Sequence, residues 1–147
     1  MTIRVRAPLV AAALLALAAC GIRTDPRPPE DTMARAPTNL SAVRDDTKVL
    51  VEWRSPGESI DGKRLSDLSR FVVERRESDE PFAGIGETAA DTGHRLRPIR
   101  QYSFVDESPG ADDAEYRIVP YTADGQRGVP SEPARATGAK TTATEAP

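Results

Sequence analysis

Between residues 38 and 137 the chain runs in short segments where apolar and polar side chains alternate with period two, cut by turn residues. Lys48 to Arg54, KVLVEWR, sets Val49, Val51 and Trp53 on one face and Leu50, Glu52 and Arg54 on the other, which predicts a strand packed on a core. Arg70 to Arg75, RFVVER, turns Phe71 and Val73 inward. Tyr102 to Asp106 offers the short strand YSFVD, and Glu115 to Thr122, EYRIVPYT, puts Tyr116 and Ile118 on a shared face. Turn signals separate the runs at Arg44-Asp45-Asp46, Ser55-Pro56-Gly57, Ser108-Pro109-Gly110 and Ala123-Asp124-Gly125. No stretch keeps a long apolar period of 3.6 residues, so the predicted class is all-β.

The pattern breaks at both ends. Leu9 to Ala19 is an uncharged apolar run behind Arg4 and Arg6, the layout of a secretory signal, and it is too short to cross a bilayer as a helix of about 20 residues. Residues 21 to 37, GIRTDPRPPEDTMARAP, hold too little apolar surface to fold and predict a proline-stiffened tether, reaching roughly 50 Å at about 3.1 Å per residue. The small and polar GAKTTATEAP at residues 138 to 147 predicts a disordered tail. The boundaries are therefore 1–19 for the signal, 20–37 for the tether, 38–137 for the folded domain and 138–147 for the tail.

Composition narrows the chemistry. The single cysteine, Cys20, excludes an intramolecular disulfide and a thiolate metal cluster, so the fold must stand on apolar packing. Removing Arg4 and Arg6 with the signal leaves 18 basic residues against 23 acidic ones, which argues against nucleic acid and against a polybasic membrane patch.

Leu17-Ala18-Ala19-Cys20-Gly21 resembles the lipobox of bacterial lipoproteins. The resemblance implies that Leu17, Ala18 and Ala19 are read by the processing machinery and that cleavage falls before Cys20. It further implies a diacylglyceryl group on the Cys20 sulfur and an acyl chain on its new amino group; no other cofactor is implied. Two or more acyl chains anchor a protein stably. An unmodified thiol in an oxidising compartment would instead be a liability. Gly21, in place of aspartate after the cysteine, is similar to sequences sorted to the outer membrane, so the expected location is that membrane, on its periplasmic face.

APTNLSA, VLVEW, DGKRLSDL with RFVVERR, and AEYRIVPYTADGQRGVPSEPA follow one another as in fibronectin type III domains, and the resemblance covers residues 36 to 137. It implies a seven-stranded, immunoglobulin-like β-sandwich. Leu40 would lie on strand A, Trp53 on B as the core tryptophan, Phe71 on C and Tyr116 on F, with Ser131 opening strand G. The Tyr116 hydroxyl would bond back to backbone within residues 110 to 113. Leu65 and Leu68 would cap the core end of the B to C loop. Two departures carry their own expectations: a bulge or an early strand end at Pro120, which cannot donate a ladder hydrogen bond, and an extra short strand or a mobile stretch within residues 83 to 100.

No catalytic constellation is present, so the chain reads as a non-enzyme without a metal site. His94 is the only histidine, and no serine sits in a G-x-S-x-G elbow. Gly84-Ile85-Gly86 lacks the further glycine and the helix of a phosphate loop. Asp61, Asp67, Asp112 and Asp113 fit no calcium-loop spacing. Arg95, Arg97 and Arg100 form a basic cluster that reads as a solvated loop before it reads as a dock for acidic groups.

What remains is a membrane-tethered interaction module with membrane lipid at Cys20 and an envelope protein as partner. Cys20-Gly21-Ile22-Arg23 followed by Pro28-Pro29 is similar to short lipoproteins that assist assembly of the lipopolysaccharide translocon. That likeness would make Gly21, Ile22 and Arg23 the partner contact. The alternative is a carbohydrate- or peptidoglycan-binding accessory, which would need exposed aromatic platforms.

Overall fold

The computed structural model describes residues 28, 32–91, 100–110 and 113–138 of the chain. Eight strand segments appear: β1 (Thr38–Asp45), β2 (Lys48–Arg54), β3 (Leu68–Arg76), β4 (Ala83–Ala89), β5 (Gln101–Asp106), β6 (Glu115–Thr122), β7 (Ala134–Arg135) and β8 (Thr137–Gly138). They form two four-stranded sheets, ordered β5-β2-β1-β8 and β4-β3-β6-β7, and among the described residues there is no α-helix. Every pairing is antiparallel except β1 with β8.

The alternation read from the sequence sets which face each strand buries. Val49, Val51 and Trp53 of β2, Phe71 and Val73 of β3, and Tyr116 and Ile118 of β6 are all fully buried and form one cluster between the sheets. Trp53 packs edge-on to Phe71 at 5.5 Å and stacks on Tyr102 at 6.0 Å, while Phe71 and Tyr102 lie 4.8 Å apart. Each such side chain contributes about 2–3 kcal/mol by burial. The indole Nε1 is buried with no protein acceptor, so Trp53 is held by packing alone.

Local chemistry closes the turns. The two-residue connection Asp46-Thr47 joins β1 to β2, and Asp46 takes a φ of 47° that aspartate tolerates better than most residues. Between β6 and the following loop, the Thr122 hydroxyl donates to Asp124 and accepts from the Gln126 N–H at 3.1 Å, with Gly125 at φ 86°.

The strand count departs from the expected seven. The last strand is split at Ala136, whose N–H donates to the Ala114 carbonyl at 2.9 Å. The residues before Ala136 pair with β6 and those after it with β1, so one edge segment serves both sheets. Ser131 lies ahead of β7, yet it already pairs with β6: its N–H donates to the Ile118 carbonyl and its hydroxyl oxygen accepts the Ile118 N–H, both at 2.9 Å.

Pro120 neither ends nor bulges β6, contrary to expectation. The carbonyls of Ile118 and Pro120 both point away from β3, toward Ser131 and Gly128, so the N–H that proline lacks would have faced the loop side. The register shift falls at Leu68 to Arg70, opposite Tyr121 and Thr122. Residues 83–89 form a full strand, the extra element expected there, while 92–99 lie outside the described residues. Gly84-Ile85-Gly86 sits within that strand: a Cβ on Gly86 would lie 2.4 Å from the Phe104 ring, so glycine lets β5 close against β4. Leu68 packs on the core, whereas Leu65 is half-buried outside that cluster.

Candidate functional site

The residues singled out for lipidation and processing, Cys20 with Leu17, Ala18 and Ala19, lie outside the described residues, as do Gly21, Ile22 and Arg23. His94, Arg95, Arg97 and Asp112 lie outside them too. The structure does describe the place where the tether joins the sandwich, and it gives the sandwich two further polar constructions.

The junction starts at Thr32, ahead of the boundary drawn at residue 38. Met33 to Arg35 runs as a strap between the β2–β3 loop and the β6–β7 loop. On one side, the Met33 carbonyl accepts the Ile60 N–H at 2.9 Å and the Arg35 N–H donates to the Glu58 carbonyl at 3.2 Å. On the other, the Ala34 carbonyl accepts the Val129 N–H at 2.9 Å, and Thr32 Oγ1 bonds to Gln126 Oε1 at 3.1 Å. Ala34 is fully buried, and a Cβ on Gly128 would lie 2.8 Å from its carbonyl oxygen, so the strap needs small residues on both sides.

Arg35 continues the strap with Nε donating to the Ser59 carbonyl at 3.0 Å. Beside it opens a groove of about 660 Å³ lined by Arg35, Thr38, Ser55, Pro56, Glu58 and Arg64 among others. Ser59 donates to Asp61 Oδ1 at 2.6 Å, and this bond is the main cause holding the Asp61 carboxyl below its usual value.

At the opposite end of the sandwich, a charged knot ties the sheets together. The Tyr116 hydroxyl donates to Asp106 Oδ2 at 2.9 Å, and Arg75 Nη1 donates to the same oxygen at 2.7 Å and to the Ser108 carbonyl at 2.8 Å. The other carboxylate oxygen of Asp106 accepts the Ser108 N–H at 3.1 Å. The Tyr116 hydroxyl therefore bonds a side chain on β5; of the backbone expected to receive it, residues 111 and 112 lie outside the described residues. A buried carboxylate at the end of β5 is a stronger acceptor than a neutral carbonyl and needs every bond it receives. Burial, then the bond to Asp106 and its charge, push the Tyr116 hydroxyl well above the usual tyrosine range.

The outer face of the β4-β3-β6-β7 sheet holds two arginine–glutamate–arginine triads. Glu74 accepts from Arg117 Nε at 2.6 Å and pairs with Arg127 at 3.5 Å. Glu115 accepts from Arg76 at 2.6 Å and from Arg135 at 3.2 Å, and these bonds, Arg76 first, hold its carboxyl below the usual range. The Phe82 ring joins the triads, with the Arg117 guanidinium 4.1 Å and the Arg76 guanidinium 4.7 Å from its centroid. Further along the face Arg70 lies 4.8 Å over the Tyr121 ring and 3.2 Å from Glu87. Val119 shares this face by strand alternation and is nonetheless fully buried, as expected beneath long arginine stems.

These contacts leave no aromatic platform bare. Trp53, Phe71, Tyr102 and Phe104 belong to the core, Tyr116 to the knot, and Tyr121 and Phe82 lie under guanidinium groups. Of the basic cluster, Arg100 is described and pairs with Asp91. No group of three or more potential metal ligands occurs among the described residues.

Sequence reasoning did not single out the strap, the knot or the triads. Arg70, Glu74 and Arg76 on the outward face of RFVVERR were a signal that could have pointed to the triads. Fold and surface together define an all-β sandwich with a strapped N-terminal segment and a charged sheet face. No protein-family model matches the chain, and no curated protein matches it in sequence.

Proposed function

We propose that the protein is a non-catalytic lipoprotein of the cell envelope, anchored through acyl chains on Cys20, that presents a fibronectin type III domain to a partner protein. The observation that carries this reading is Leu17-Ala18-Ala19-Cys20-Gly21 directly after a short apolar run with a basic start. The strand orders support the domain assignment: in this reading β1, β2 and β5 would be strands A, B and E, and β4, β3, β6 and β7 would be C′, C, F and G. In this reading the chain leaving the membrane reaches the sandwich at residues 33–35, which bond the loops around residues 58–60 and 129 through their backbone.

The location proposed is the periplasmic face of the outer membrane, and the role proposed is envelope assembly, with Gly21, Ile22 and Arg23 contacting the lipopolysaccharide translocon. The buried or covered state of all seven aromatic side chains favours a protein partner over a glycan, because sugar sites are built on exposed rings.

Metabolic labelling with a fatty-acid analogue tests the anchor: label on the intact chain and none on Cys20→Ser is expected, and label persisting in that variant overturns the anchor. Crosslinking in cell envelopes then tests the partner. Recovery of a translocon protein through residues 21–29 is the expected result, and recovery of glycan alone would replace the assembly role with the accessory one.

A further inference from the structure

The protein is acidic overall, with a net charge of -3, yet one face of it is not. The networks on the β4-β3-β6-β7 sheet contain Arg70, Arg76, Arg117, Arg127 and Arg135 against Glu74, Glu87 and Glu115, an excess of two positive charges. The layering of these charges matters more than the count. Glu74 and Glu115 are the sunken members at 13% and 19% exposure, while Arg127 and Arg135 stand out at 44% and 65%. Glu74 and Glu115 thus form a lower layer beneath Arg127 and Arg135, while Glu87, at 67% exposure, stands outside Arg70 at the far end of the face.

Each guanidinium has more N–H donors than one shared carboxylate can take, so the outer donors stay available. Phe82 fixes Arg76 and Arg117 side by side, which reduces the side-chain entropy lost when a ligand binds. Each triad carries one guanidinium more than its carboxylate neutralises.

We propose that this sheet face docks an acidic segment of a partner protein, whose carboxylates bind the outer N–H groups of Arg76, Arg117, Arg127 and Arg135. Guanidinium groups match carboxylates bidentately, and the face is a sheet surface whose aromatic rings are already covered, which suits an extended acidic peptide better than a sugar. The inference deepens the interaction-module reading and rests on it. Its test does not involve Cys20, so failure of the anchor and failure of the docking face read out separately.

The experiment titrates the full chain in detergent with poly-L-glutamate and, separately, with polygalacturonate. Polyglutamate is expected to bind, and to bind more weakly as salt screens the face. Arg76→Gln with Arg117→Gln should weaken it at least about tenfold, the loss of two charge-assisted contacts. Lys48→Gln with Arg54→Gln removes the same charge from the opposite sheet and should leave binding within about twofold, as outlying charges are screened. Arg127→Gln with Arg135→Gln, at the more exposed positions of the two triads, leaves each glutamate its shorter arginine bond, so it should also weaken binding and guards against misfolding of the first pair. Equal losses in all three double variants, or no loss in either sheet-face variant, would overturn the proposal. So would absence of polyglutamate binding, or polygalacturonate binding just as tightly, which would point to a glycan.

Discussion

The two ends of the sandwich interior solve the same problem by opposite means. Near the tether, β2, β3 and β5 are joined by the rings of Trp53, Phe71 and Tyr102, with no hydrogen bond to the indole. At the far end, β3, β5 and β6 are joined by Arg75, Asp106 and Tyr116, a charged cluster in which Asp106 is only 8% exposed. The first end tolerates imperfect partners because dispersion and burial are non-directional. The second depends on every member, because a buried carboxylate stripped of one donor keeps its desolvation cost and loses its compensation. A change of similar size should therefore act through volume at one end and through charge at the other.

The largest effect is expected from emptying the aromatic end. Trp53→Ala should cost about 3–5 kcal/mol in urea unfolding, while Trp53→Phe should cost clearly less, since no hydrogen bond is lost. If the two variants were equally unstable, the indole nitrogen would have a role that packing does not explain.

At the charged end, Asp106→Ala should cost about 3 kcal/mol by leaving Arg75 and the Tyr116 hydroxyl without their acceptor. Adding Arg75→Ala should restore part of that loss. A double-mutant cycle with no coupling would show that the knot is not a unit.

Tyr116→Phe removes one hydrogen bond and should cost about 1 kcal/mol at neutral pH. It also has a pH signature. The folded state holds the Tyr116 proton where the unfolded chain releases it, so this stabilisation is full below the ordinary value of 10.0 and declines as pH rises above it. The wild type should lose stability steadily above about pH 10, and the variant should lose most of that slope, retaining the smaller part due to Tyr102, which burial also pushes up. Identical alkaline slopes in the two proteins would place the titrating group elsewhere.

How much was legible beforehand follows from the range of each interaction. KVLVEWR and EYRIVPYT show their buried faces within seven or eight residues, and the structure gives β2 and β6 the same bounds as those runs. AGIGETA shows no such alternation; β4 forms because β3 offers it a ladder and Phe104 fits over Gly86. The strap was hidden for a similar reason, since Met33-Ala34-Arg35 looks like tether until the loops 57–60 and 126–129 are folded around it.

The sequence by itself determined the all-β class, the inward faces of the strands, the turns, and the cysteine on which the anchoring proposal stands, because each is written in neighbouring residues. Only the tertiary structure decided that Tyr116 bonds Asp106, that the last strand divides between two sheets, and that Glu74 and Glu115 each hold two arginines. Those arginines lie 20 to 53 residues from their glutamates along the chain. No local pattern encodes such pairs, and they exist only once both sheets have formed and brought the strands side by side.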